Sequence, residues 1–90
     1  MIKHYRIYVI GTVQGVWFRK YTKEAALSYN VLGLVRNEHD GNVYIEAEGD
    51  EKNLKSFIDW LYTGSPLSIV KEVKWEEGSL RQFTQFDISR

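Results

Sequence analysis

The sequence predicts an α+β fold in which two helices cover one face of an antiparallel sheet of four to five strands. Three observations carry that prediction. Apolar and polar residues alternate, as strands require, over residues 3–10 and 42–48. Apolar residues recur at helical spacing over residues 18–29 and 54–61. Finally, 90 residues with 43% hydrophobic content, one proline and no low-complexity run describe a single compact domain, residues 1–90, and not a disordered chain.

In the first strand, Tyr5, Ile7 and Val9 share one face. A loop containing Gly11 and Gly15 follows. The helix after it carries the stripe Phe18, Thr22, Ala26 and Tyr29, with Lys20, Lys23 and Glu24 outside it. Asn30 stands where a helix commonly ends in a left-handed residue, a conformation asparagine tolerates. Residues 31–38 read as the second strand and residues 42–48 as the third, with Val43, Ile45 and Ala47 on one face and Tyr44, Glu46 and Glu48 on the other. Asp40-Gly41 between them is a hairpin signal. Asp50 caps a second helix with Leu54, Phe57, Ile58 and Leu61 on one side, and Gly64 and Pro66 close it. Residues 69–75 form a fourth strand and residues 83–88 a short last one. This order is that of the ferredoxin-like split βαβ plait, a two-layer βαββαβ sandwich.

Twelve basic residues balance twelve acidic ones, so no bulk field draws the chain to nucleic acid or to an anionic membrane. Any anion must be caught by a local site. The absence of cysteine removes disulfides, thiolate ligands and a cysteine nucleophile together. Residues 1–6 are too polar for a signal peptide, and no apolar run approaches the ~18 residues of a membrane span. A cytoplasmic monomer is expected, with no nucleic-acid or membrane partner.

Sheets of this kind also bind RNA on exposed aromatics, and Tyr8 and Tyr44 lie off the apolar faces of their strands. No Lys/Arg-Gly-Phe segment accompanies them, which argues against that use. His4 and His39 lack ligand spacing and read as solvated side chains. Glu46 and Glu48 share a strand face, and exposure to solvent accounts for them more simply than a catalytic carboxylate pair. Neither a metal nor an organic cofactor is expected.

The segment with chemical promise is Gly11-Thr12-Val13-Gln14-Gly15-Val16-Trp17-Phe18-Arg19. It joins a strand to a helix, where the first amides have no intrahelical acceptors and the dipole favours an anion. Arg19 falls in the first helical turn, where a cation is misplaced unless an anion meets it. The loop alone leaves open a plain connection with Arg19 as a solvated charge, because no Gly-Lys-Ser/Thr follows as in a Walker loop.

The pattern G-x-V-Q-G-V-x-F-R, together with Gly33-Leu34-Val35-Arg36-Asn37, resembles the two signature segments of the acylphosphatase family. Further matches follow at Asp40-Gly41-x-Val43, Glu48-Gly49-Asp50 and Gly64-x-Pro66, so the resemblance covers nearly the whole chain. It implies hydrolysis of a small-molecule acyl phosphate, with inorganic phosphate as product and competitor. It implies that Arg19 binds the phosphoryl group with the amides of Gln14, Gly15, Val16, Trp17 and Phe18, and that Asn37 orients the attacking water. Four positions depart from the family's usual residues: Trp17 and Asn30 replace glycines, Leu34 a tryptophan and Ser65 a proline. Independently, a third strand inserted between the first two would hold the ends of those two roughly 10 Å apart, so that Arg19 and Asn37 reach toward one pocket.

Overall fold

The computed structural model describes residues 1–89. Its elements alternate as the periodicities predict: β1 (Ile2–Thr12), α1 (Phe18–Ser28), β2 (Leu32–Asn37), β3 (Val43–Asp50), α2 (Glu51–Thr63), β4 (Ile69–Gly78) and β5 (Phe86–Ile88). In the sheet the strands run in the order β4-β1-β3-β2-β5. β3 is antiparallel to both of its neighbours, so β1 and β2 run the same way. The register is informative, because Val9 of β1 and Asn37 of β2 both lie opposite Val43 of β3. The carboxyl ends of β1 and β2 therefore open at one end of the sheet.

One face of the sheet supplies Tyr5, Ile7, Val9, Val35, Val43, Ile45 and Ala47 to the core. The helices cover it with Phe18, Ala25 and Ala26 from α1 and Leu54, Phe57, Ile58 and Leu61 from α2. Each large side chain among them contributes about 1.5–3 kcal/mol by leaving water. Asp50 caps α2 as expected, its carboxylate accepting from the Lys52 amide at 3.0 Å. Asn30 does end α1 in the left-handed region, at φ 57°, and the Val31 amide reaches back to the Ala26 carbonyl at 2.8 Å.

Two expectations need correction. The sheet is mixed, not wholly antiparallel, because β5 joins β2 in parallel, with Gly33 opposite Phe86 and Val35 opposite Ile88. A tight hairpin would have seated β5 beside β4. Instead residues 79–85 cross from one edge of the sheet to the other, and regular pairing begins only at Phe86, which is buried against Phe57.

The second correction concerns what that crossing covers. His4, Glu46 and Glu48 point away from the helices, as their alternation predicts, yet all three are buried. Arg81 places Nη1 2.9 Å from Glu46 Oε1, while the amides of Arg81 and Phe83 donate to Glu48 at 2.7 and 2.9 Å. His4 Nε2 lies 2.9 Å from Glu46 Oε1, and its ring stacks on Phe83. Charged side chains endure such burial only when hydrogen-bonded, as these carboxylates are. Burial pushes the Glu46 carboxyl up, but His4, Tyr44 and Arg81 together outweigh it and hold the group below its ordinary value.

Candidate active site

The loop between β1 and α1 starts from an irregularity. The register of β1 against β4 shifts between Ile10 and Gly11. Gly11 has φ 144°, and a Cβ there would run into the Ile69 carbonyl of β4. Only glycine lets the strand pass so close.

Beyond Gly11 the loop is anchored on both sides. Val13 is buried in the core. Gln14 Nε2 donates to the carbonyls of Glu38 and Asn42, each at 2.8 Å, which ties the loop to the β2–β3 hairpin. On the opposite side, the buried Ser65 hydroxyl donates to the Val16 carbonyl at 2.8 Å. Ser65 is one of the departures from the family pattern, and this bond gives it a structural task that proline could not perform. Gly15 at φ 72° and Trp17 at φ 62° then turn the chain into α1.

α1 begins at Phe18, which is buried and packs on Trp60 with ring centroids 6.2 Å apart. No side chain caps its start, and its first turn carries no acidic residue. The orphan amides and the positive end of the helix dipole are therefore left for an external acceptor. Arg19 is the second residue of the helix and forms no ion pair among the described residues.

Asn37 ends β2. Its Oδ1 is buried and has no hydrogen-bond partner among the described residues. A buried amide oxygen of this kind is costly unless something donates to it. The neighbouring turn does not call on it. Gly41 donates to the Glu38 carbonyl at 3.2 Å, and Asn42 donates to Asp40 Oδ1 at 3.0 Å.

Arg19 and Asn37 line one pocket of about 390 Å³. Gly15, Trp17, Phe18 and Lys20 border it from the loop and helix start, and Ile88 from β5. Of the residues singled out from the sequence, Gln14 and Val16 do not line it: the Gln14 side chain ties the loop to the β2–β3 hairpin, and the Val16 side chain packs against the core while its carbonyl accepts from Ser65. Ile88 and Lys20 join the pocket without a signal in the sequence motif, and Ser65 supports it through the Val16 carbonyl. Only the register of β5 brings Ile88 alongside Val35 and into the pocket, and no short-range pattern announces it. The ionisable groups lining the pocket, Arg19 and Lys20, are both cationic. The described residues contain no group of three or more His, Asp or Glu placed to hold a metal ion.

On the back of the sheet Tyr8 and Tyr44 pack on each other, 5.1 Å apart, Tyr8 exposed and Tyr44 buried, with the Arg36 guanidinium 4.6 Å from the Tyr44 ring. Burial and the neighbouring Glu46 carboxylate push the Tyr44 phenol up to about 12.

Fold and pocket together define a class: a small ferredoxin-like α+β protein with a cationic cleft where the first strand turns into the first helix. Its residues 5–88 match the family model for acylphosphatase, and the chain belongs to the acylphosphatase family. It is 48% identical over 86 residues to an acylphosphatase of Bacillus licheniformis, covering 94% of this chain and 96% of that one. An acylphosphatase of Thermotoga maritima is 41% identical over 87 residues, 97% of each chain. The crystal structure of acylphosphatase from Bacillus subtilis superposes with a TM-score of 0.95 at 41% identity over the full length of both chains. No described helix is long and apolar enough to cross a membrane.

Proposed function

We propose that this chain hydrolyses the carboxyl–phosphate bond of small acyl phosphates, releasing a carboxylate and inorganic phosphate. The observation that carries the reading is the meeting of Arg19 and Asn37 in one pocket, the first without a carboxylate partner and the second with a buried, unpartnered oxygen, among the described residues. Arg19 forks two phosphoryl oxygens, and the amides of residues 14–18 hold the remaining charge with the help of the α1 dipole. Asn37 Oδ1 accepts a hydrogen bond from the nucleophilic water and aims it at phosphorus.

In the reaction, the water oxygen forms a bond to phosphorus while the bond from phosphorus to the acyl oxygen breaks. The departing carboxylate keeps the electron pair, and the water's proton passes to a phosphoryl oxygen. Because a carboxylate leaves readily, the transition state is loose and needs little help from a base. Positioning and charge stabilisation carry the acceleration, which suits a pocket containing arginine and asparagine and no carboxylate. No metal takes part, the positive charge being supplied by Arg19 and the amides. We further propose that the enzyme works as a cytoplasmic monomer on small molecules.

The test is phosphate release by the purified protein from acetyl phosphate and from a phosphate monoester, with inorganic phosphate as inhibitor. Acyl phosphate should be turned over with competitive inhibition by phosphate. Preference for the monoester, or purely noncompetitive inhibition, would overturn the reading.

A further inference from the structure

Two exposed apolar side chains stand on the pocket, and the phosphoryl chemistry uses neither. Trp17 is 69% exposed and Ile88 43%. They reach the same opening from unrelated places, the turn before α1 and the last strand.

Trp17 is the more telling of the two. At φ 62° its backbone lies in the left-handed region, where a Cβ is disfavoured and glycine is at ease. Packing does not repay that strain, since most of the indole faces solvent. The Lys20 ammonium lies 5.7 Å from the centroid of its ring. Glycine at this position would keep the amide and the turn, relax the backbone and expose no apolar surface. A strained residue with a large exposed aromatic side chain, set on the wall of the active pocket, marks a binding surface.

Resting on the acyl-phosphate reading above, we infer that Trp17, with Ile88, forms the subsite for the acyl group and selects flat aromatic acyl phosphates over short aliphatic ones. The phosphoryl end is held at Arg19 and the start of α1, so the acyl group must extend from the cradle along the pocket wall. An aromatic ring there can pack on the indole and cover Ile88, whereas an acetyl group has too little surface to do so. An aromatic pair of this kind adds selectivity of about three- to tenfold.

The experiment compares kcat/KM for benzoyl phosphate and acetyl phosphate in the wild type, Trp17→Gly, Trp17→Phe and Ile88→Ala. The benzoyl-to-acetyl ratio should fall about tenfold in Trp17→Gly and about twofold in Ile88→Ala, and return toward the wild-type value in Trp17→Phe. Trp17→Gly should melt no lower than the wild type, because the left-handed backbone is relieved. A ratio that stays level or rises in Trp17→Gly overturns the inference while leaving the acyl-phosphate reading intact. A folded wild-type protein that hydrolyses neither compound overturns both.

Discussion

Gln14 and Asn42 are joined across the fold: the Gln14 side-chain amide donates to the Asn42 carbonyl at 2.8 Å and to the Glu38 carbonyl at the same distance. One side chain thus locks the loop that precedes α1 to the hairpin that follows Asn37. If the two halves of the site act together, this amide sets their separation. Catalysis that depends on preorganised groups is sensitive to shifts of even 1 Å.

Gln14→Ala should therefore reduce both stability and turnover. Two hydrogen bonds of ordinary strength amount to about 1–3 kcal/mol, to be read from urea denaturation midpoints. The two carbonyls keep their backbone partners, Gly41 for Glu38 and Glu38 for Asn42, so the hairpin itself survives. Turnover of the folded variant should fall about tenfold and phosphate inhibition should weaken with it. Full activity at reduced stability would show that the loop holds its shape without this tie.

How much of this was legible beforehand differs from one element to the next. β1 and β3 were readable because Tyr5, Ile7, Val9 and Val43, Ile45, Ala47 alternate with period two and face a single core. α2 was readable from the Leu54–Leu61 stripe and the Asp50 cap. Residues 79–85 were not, since they have no periodicity and are held by Glu46 and Glu48, more than thirty residues away in sequence. For the same reason the two carboxylates looked solvent-facing: alternation reports which face a side chain takes, and nothing in it says what later covers that face. At the site, Arg19 and Asn37 stood out through motif resemblance, and the Gln14 tether, the Ser65 bond and the approach of Ile88 are tertiary facts without a local signal.

The covered carboxylate carries a pH prediction. Glu46 titrates below its ordinary value of 4.5 in the fold, despite its burial, because His4, Tyr44 and Arg81 favour the charged form. The unfolded chain then takes up this proton before the folded one does. The stabilisation is complete above pH 4.5 and is lost as pH falls through the lower folded value. Glu46→Gln should be less stable than the wild type at pH 7, by about 1–3 kcal/mol, since Arg81 loses a charge-assisted bond. The gap should narrow on acidification below pH 4.5. Equal acid sensitivity of the two proteins in denaturation would mean that other carboxylates dominate.

Arg19→Lys tests the phosphoryl cradle. The substitution preserves charge, and Arg19 makes no ion pair whose loss would unsettle the helix among the described residues. Lysine is a point charge, however, and cannot fork two oxygens in one plane. The melting temperature should hardly change while kcat/KM drops by about 10²-fold or more, the scale of removing one preorganised donor. Near-normal turnover would reduce Arg19 to a surface charge.

Asn37→Ala separates binding from catalysis. Asn37 could be a turn-forming asparagine that happens to end a strand, in which case its removal would lower stability and leave each folded molecule fully active. The hydrogen bonds argue otherwise. The turn is closed by Asp40, Gly41 and Asn42 without it, and Asn37 Oδ1 is buried with no donor among the described residues. Deleting an unsatisfied buried oxygen should leave stability unchanged or slightly raised. If the same oxygen fixes the attacking water, kcat should fall by about 10²–10³-fold, while the inhibition constant for phosphate, set at Arg19 and the start of α1, stays within a few-fold of the wild type. Melting, phosphate inhibition and turnover measured on this one variant therefore point in opposite directions under the two accounts. A stable Asn37→Ala protein with near-wild-type kcat would remove Asn37 from the mechanism and require the water to be held by another group in the pocket.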